Sequence, residues 1–113
     1  MAQYYHDIET GQGEKFSLSV TVQYEDGTAF DLTGYSIRGK VKKNYKSTSV
    51  IATFTGTVTS AVDGEFEISL SSAITAAIAA GRYTYDVELY TTADADVIQI
   101  IGGRFTLIPE ITT

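Results

Sequence analysis

The chain has 113 residues, with 14 acidic and 8 basic side chains that give a formal net charge of −6. Its length suits one domain with a hydrophobic core of its own, and its negative charge opposes binding to the phosphates of nucleic acids. The absence of cysteine excludes disulfides, thiolate metal sites and cysteine nucleophiles.

The first 14 residues form a polar segment in which Tyr4 and Tyr5 precede His6. The segment has neither the basic region nor the apolar stretch of a signal peptide, and it is too polar to span a membrane. We therefore predict a polar N-terminal arm over residues 1–14, with an edge strand at 4–9, and a single domain over residues 15–113. We expect the protein to be made and folded in a cytosol and to have no membrane partner.

Two alternating runs predict the first strands of the domain. Residues 16–22 alternate between apolar and polar side chains, the pattern of a strand with one face in water. Residues 35–42 alternate in the same way, and Gly39 falls on their apolar face, where a glycine indicates a bulge or the close approach of a large side chain. The opposite face carries Arg38, Lys40 and Lys42.

The next two runs predict a hairpin. Residues 50–60 alternate, with Ala52, Phe54 and Val58 expected to point inward, and residues 65–70 alternate again. Asp63-Gly64 lies between the two runs and is the strongest short-range turn signal in the chain.

One segment, residues 72–80, is predicted to be helical. Ser71 can cap its first amide groups, alanines fill its interior, and Gly81 can end it. Ile74 and Ile78 are four residues apart and therefore share one face of a helix. We expect this face to cover an open end of the β structure.

A second hairpin closes the domain, with strands at 81–90 and 97–108. The inward side chains of its first strand are predicted to be Tyr83, Tyr85, Val87 and Leu89. Those of the return strand are predicted to be Val97, Ile101, Phe105 and Leu107. Ile98, Ile100 and Ile108 then point outward, which predicts a subunit contact. Gly102-Gly103 indicates a bulge.

About seven short strands with a single helix before the sixth predict an all-β protein, and an immunoglobulin-like antiparallel β-sandwich is the best match. Tyr83 lies where such folds hold a corner by a hydrogen bond from a tyrosine hydroxyl to the backbone. The lack of a cysteine pair and of tryptophan excludes an antibody-type domain. A small β-barrel remains the alternative.

The sequence offers little catalytic or metal-binding chemistry. His6 has no nucleophile motif to act on, and the loop aspartates lack the dense spacing of a calcium site. We therefore predict no catalytic residue, no metal and no cofactor. Five tyrosines remain for the surface, where protein contacts are favoured and glycan contacts are the alternative: Tyr4, Tyr5, Tyr24, Tyr45 and Tyr90.

The basic residues are clustered, since five of the eight lie between Arg38 and Lys46. Two interpretations are open. The lysines can form a solvated strand face that discourages edge pairing, or the cluster can steer an acidic partner.

Several features in fixed order resemble one known family. They are Asp31-Leu32-Thr33-Gly34-Tyr35, the turn at Asp63-Gly64, the segment from Ser71 to Gly81 that leads into Tyr83-Thr84-Tyr85, and the final Gly103-Arg104-Phe105. The chain is similar, over residues 16–112, to the small immunoglobulin-like β-sandwich modules of tailed-bacteriophage virion proteins. These include the amino-terminal domain of baseplate upper proteins and fibre-attachment modules.

This resemblance implies a non-enzymatic virion protein that is assembled in the host cytoplasm and contacts other virion proteins, as a symmetric oligomer. An adaptor of tail, neck, baseplate or fibre attachment is the main expectation. A capsid decoration protein is the alternative within the same class, and a carbohydrate-binding module is the alternative from another class. The contact residues that we predict are Tyr4, Tyr5, Arg38, Lys40, Lys42, Ile98 and Ile100.

Overall fold

A computed structural model of the chain describes residues 4–44, 46–92 and 95–109. These residues form nine strands and one helix. In chain order they are β1 (Tyr4–Tyr5), β2 (Ile8–Gly11), β3 (Phe16–Thr21), β4 (Ser36–Lys42), β5 (Val50–Thr53), β6 (Thr55–Ser60), β7 (Glu65–Leu70), α1 (Ser72–Ala77), β8 (Gly81–Tyr90) and β9 (Val97–Ile108).

The strands form two sheets. The larger sheet has the order β1-β9-β8-β4-β5, with β2 also beside β9, and the smaller sheet has the order β3-β7-β6. All pairings are antiparallel except those of β1 and β2 with β9, which are parallel. The protein is therefore an all-β sandwich, as predicted, and not the single closed sheet that a β-barrel requires.

The core lies between the inner faces of the two sheets. Every second side chain of β7 is buried, and so is every second side chain of β8 from Tyr85 onward. This alternation is the one that the sequence predicts for Tyr85, Val87 and Leu89. Aromatic rings join the sheets, because the Phe16 ring lies 6.0 Å from the ring centroids of both Phe54 and Phe105.

The run at 50–60 is two strands and not one. β5 pairs with β4 in the larger sheet, whereas β6 pairs with β7 in the smaller sheet. Phe54 lies between them, with its side chain buried and its amide donating to the carbonyl of Gly39 at 2.8 Å. The chain therefore crosses from one sheet to the other at Phe54. Val58 pairs with the buried Phe66 and so lies on the inner face as predicted, but it is 39% exposed because β6 is an edge strand.

The helix is shorter than predicted, because Ile78 already has an extended backbone. Ser71 caps it as expected, accepting from the amide of Ile74 at 3.3 Å. Ile78 is buried, but Ile74 is exposed, so the predicted pair does not share one buried face. Thr75 is the buried helical residue, and its hydroxyl donates to the carbonyl of Glu14 at 2.8 Å.

Strand β9 contains a bulge that overturns the prediction for its isoleucines. Val87 pairs with Ile101 and Glu88 pairs with Gln99, so Ile100 is one extra residue in β9. The extra residue reverses the alternation of every side chain before it. Ile100 is only 1% exposed, and the bulge lies before the two glycines and not at them.

The same reversal moves Ile98 to the inner face, because it pairs with the buried Leu89 and packs against the core. Val97 pairs with Tyr90 and points outward, with 43% of its surface exposed. The predicted contact role of Ile98 and Ile100 is therefore wrong, since both serve the core.

Gly39 allows the Phe54 ring to lie close to the backbone of β4, as the sequence predicts for a glycine on this face. A Cβ at this position would lie 2.9 Å from Cδ2 of Phe54 and 3.0 Å from Cγ2 of Val87. We expect Gly39→Ala to lower the free energy of unfolding by about 1–3 kcal/mol, because the added methyl group overpacks the core. Urea unfolding measures this loss.

A double-mutant cycle with Phe54→Leu tests the cause. Leucine is smaller than phenylalanine and leaves space for the new methyl group, so Gly39→Ala should cost less in the Phe54→Leu background. Equal costs in both backgrounds would contradict the proposed contact.

Candidate functional site

The outer face of the larger sheet collects charged side chains from two adjacent strands. Residues that are directly opposite in antiparallel strands lie on the same face of the sheet. Arg38 pairs with Glu88, Lys40 with Asp86, and Lys42 with Thr84. We call these six residues the charged face.

The three basic residues predicted for protein contact thus lie together, but their face is not purely basic. The Nε atom of Arg38 donates to Oε1 of Glu88 in an ion pair. The guanidinium carbon of Arg38 lies 4.5 Å from the ring centroid of Tyr90. Alternation with the predicted inward residues of β8 places Asp86 and Glu88 outward, but no pattern in the sequence indicates that β8 lies beside β4.

Asp86 is a partly buried carboxylate on this face. Together with Lys40, Lys42, Thr84 and Tyr85 it lines a cavity of about 50 Å³. Among the described residues, no nitrogen of either lysine forms a salt bridge with Asp86. Partial burial raises the pKa of Asp86, and repulsion from Glu88 adds to this, against the opposing effect of Lys42 and Lys40.

The raised pKa of Asp86 predicts a dependence of stability on pH. The folded chain holds this proton more tightly than the unfolded chain, so stability falls as pH rises from 3.8 through the raised pKa. We expect Asp86→Asn, which cannot ionise, to gain melting temperature relative to the wild type at neutral pH and to lose that gain below the ordinary pKa of 3.8. Thermal unfolding in dilute protein across this range measures it.

Asp31→Asn is the matched control. Its carboxylate accepts hydrogen bonds from the hydroxyl and the amide of Thr33, which lower the pKa of Asp31. Asp31→Asn should therefore show the opposite dependence, with its relative loss at neutral pH. The same trend in both variants would argue against our interpretation of Asp86.

The N-terminal arm belongs to the larger sheet of its own chain. The amide of His6 donates to the carbonyl of Gly102 at 2.9 Å, and the hydroxyl of Tyr85 donates to the carbonyl of His6. Oδ1 of Asp7 accepts from the amide of Arg104 at 3.1 Å. The backbone of this segment, which the sequence predicts to be an edge strand, is thus paired with β9 within the chain.

A groove of about 320 Å³ separates the arm from the edge strand β3. Tyr5, a predicted contact residue, is 80% exposed at this groove, and His6 lines it too. The opposite wall is formed by residues 18–21 of β3. The side chain of Tyr4 and all of Tyr45 lie outside the described residues.

Gly103 lets the arm approach β9. A Cβ on this glycine would lie 2.7 Å from the carbonyl oxygen of His6 and 3.0 Å from Oδ1 of Asp7. We expect Gly103→Ala to displace the arm, because the nearest obstacle is backbone. Hydrogen exchange of the amides of residues 5–11 should accelerate by about tenfold or more, the change that a loss of roughly 1.4 kcal/mol produces.

Gly102→Ala is the control for this prediction. Its Cβ would contact Tyr85 and Asp86 at 3.1 Å and beyond, away from the arm. Exchange in the arm should change little in this variant. Equal acceleration in both variants would mean that damage to β9, and not displacement of the arm, is the cause.

The remaining predicted surface residues have ordinary structural surroundings. Tyr24 packs against Phe30 with a centroid distance of 5.4 Å, and Arg38 covers the Tyr90 ring, on which a sugar would have to stack. Asp26 and Asp63 accept hydrogen bonds from nearby hydroxyl groups in their turns. In residues 4–44, 46–92 and 95–109 we find no cluster of three acidic or histidine side chains that could bind a metal ion.

Comparison with known proteins gives no match, either to a protein-family model or to a curated protein sequence. Within the described part of the chain, no helix has the length and apolar character needed to cross a membrane.

Proposed function

We propose that the protein is a non-enzymatic structural subunit of a tailed-bacteriophage virion. Its role would be that of an adaptor or accessory subunit of the tail, neck, baseplate or fibre attachment. It would assemble in the host cytoplasm through protein contacts and would need no cofactor. The resemblance of residues 16–112 to virion sandwich modules supports this assignment.

We further propose that the sandwich is immunoglobulin-like. The order β3-β7-β6 corresponds to strands B, E and D of that fold, and β9-β8-β4 corresponds to strands G, F and C. On this scheme β5 extends the larger sheet beyond β4. The hydroxyl of Tyr83 donates to the carbonyl of Ala79 at 2.5 Å, which supports a tyrosine-stabilised corner at the start of β8.

The charged face is the observation that carries the proposal of a contact protein. It is broad, it lies on regular strands that hold its side chains in fixed rows, and it presents both signs of charge. Such a surface gives specificity and register to a protein contact. The arm does not compete for this role, because its backbone is paired with β9.

Analysis of purified particles tests the assignment. Mass spectrometry of virions of the phage that encodes the chain should detect the protein at a fixed copy number. A few copies to a few dozen would support tail, neck or baseplate, and hundreds would support the capsid decoration alternative. Its absence from particles that contain their other structural proteins would overturn the proposal.

A pair of variants tests the contact surface. Arg38→Glu with Lys40→Glu reverses two charges of the charged face and should reduce incorporation into particles by about tenfold, since close charge pairs at interfaces contribute more than about 1.4 kcal/mol. Lys15→Glu with Lys46→Glu makes the same change in net charge elsewhere and should leave incorporation near the wild-type level. Equal incorporation of both variants would rule out this face.

A further inference from the structure

The charges on the charged face form two columns of opposite sign. β4 carries the basic column and β8 the acidic column, and their rungs match: Arg38 lies beside Glu88, and Lys40 beside Asp86. At each of these two positions along the strands, a basic side chain of β4 therefore lies directly beside an acidic side chain of β8.

This arrangement is complementary to itself. Consider an axis that lies on the face, parallel to the strands and midway between β4 and β8. A rotation of 180° about this axis turns a second copy face to face with the first, exchanges the two columns and keeps each rung at its height. Lys40 of one copy then lies over Asp86 of the other, and Arg38 lies over Glu88.

We propose that the charged face is a two-fold interface with a second copy of this chain. The two contacting surfaces are the same patch, as required for a closed dimer. The inference concerns contacts between copies, so it does not rest on the proposed virion function.

The partly buried carboxylate of Asp86, which forms no salt bridge with Lys40 or Lys42, supports this assignment. It lies beside a cavity of about 50 Å³. Lys40 is exposed and forms no ion pair with a described residue of its own chain. A second copy brings one Lys40 to each Asp86, so that both groups gain a direct ion pair that the described residues of the single chain do not form.

The size of the face falls within the range of specific contacts. The six strands of the larger sheet contain 39 residues. At about 4.8 Å between strands and about 3.3 Å along a strand, each residue covers roughly 16 Å². The face therefore measures roughly 600 Å² per copy, or roughly 1,200 Å² for the pair, which is the lower end of the range for specific interfaces.

Apolar side chains lie at both ends of the charged face. Val97 pairs with Tyr90 at one end and is 43% exposed, and Val50 pairs with Lys42 at the other end and is 42% exposed. These side chains lie at the margin of the proposed contact, so the ion pairs at its centre are its main interaction.

Sedimentation analysis of designed variants tests the proposal. The wild type should sediment as a dimer whose dissociation constant rises with salt, because the contacts are ionic. An acidic variant, Arg38→Glu with Lys40→Glu, should be monomeric, and so should a basic variant, Asp86→Lys with Glu88→Lys. Each variant places like charges across the axis and should raise the dissociation constant by about a hundredfold, as the loss of roughly 2.8 kcal/mol would do.

A mixture of the two variants is the decisive measurement. In the mixed pair, every acidic residue of one chain faces a basic residue of the other, so equal amounts should restore the dimer. Glu65→Lys with Glu67→Lys makes the same charge change as the basic variant on the outer face of the smaller sheet and should remain dimeric.

Three outcomes would overturn the proposal. They are a wild type that stays monomeric up to about 1 mM, which corresponds to negligible affinity, variants that still dimerise alone, and folded variants that do not associate when mixed. Circular dichroism establishes folding. Should a double variant not fold, the single changes Lys40→Glu and Asp86→Lys, tested alone and mixed, decide the question in the same way.

Discussion

The burial of the Phe54 ring between the two sheets is the contact on which the rest of the structure depends. The ring lies within about 6 Å of the rings of Phe16, Tyr85 and Phe105, which come from both sheets. Loss of such a ring typically costs about 3–5 kcal/mol, a large part of the stability of a small domain. Phe54 also fixes the point where the chain leaves one sheet and enters the other, so it anchors β4 and β5 at the edge of the larger sheet.

This anchor explains how a core residue governs the charged face. Gly39 lies under the Phe54 ring, and its neighbours in sequence, Arg38 and Lys40, point to the opposite side of β4. The side chains of a strand alternate, so the close contact at Gly39 sets which residues reach solvent. A slip of one residue would bury Lys40 against the phenylalanine, at a high cost for an unpaired charge.

Local patterns predicted much of the fold. The inward side of β8, the cap at Ser71 and the turn at Gly64 all follow from residue type and spacing, because each depends on neighbours in sequence. Gly64 has φ of +72° at the end of its turn, and its carbonyl accepts from the amide of Val22 at 2.8 Å. The crossing at Phe54 was missed because a strand alternates with the same period in either sheet.

The charged face could not be predicted, because it depends on register between distant strands. Arg38 and Glu88 are 50 residues apart, and no local pattern records that they pair. The bulge at Ile100 was missed for a related reason, since an extra residue changes the side-chain alternation without changing composition. Continuous alternation therefore placed Ile98 and Ile100 on the wrong face of β9. It placed Arg38, Lys40 and Lys42 correctly, because β4 pairs with β8 without an extra residue.

The surroundings of Asp26 and Asp31 differ from those of Asp86, the carboxylate that we assign to the proposed interface. Asp26 and Asp31 accept hydrogen bonds within their own turns, which lower their pKa values and complete their surroundings in the single chain. Asp86 is the reverse case, because the fold partly buries it and no described residue forms a salt bridge with it. Where most residues suit the fold but one surface residue lowers its stability, function is a common reason for keeping that residue. Asp86 is such a residue.

The edges of the larger sheet lead to the same surface. Both edges of this sheet are formed by short strands, since β1 has two residues and β2 and β5 have four each, and short edge strands offer little backbone for strand addition. We therefore expect association through this sheet to use side chains more than strand addition. The outer face offers such side chains in matched rows, held in position by the same strands whose inner faces build the core. The fold that buries Phe54 thus also orders the charges through which this sheet can recognise a partner.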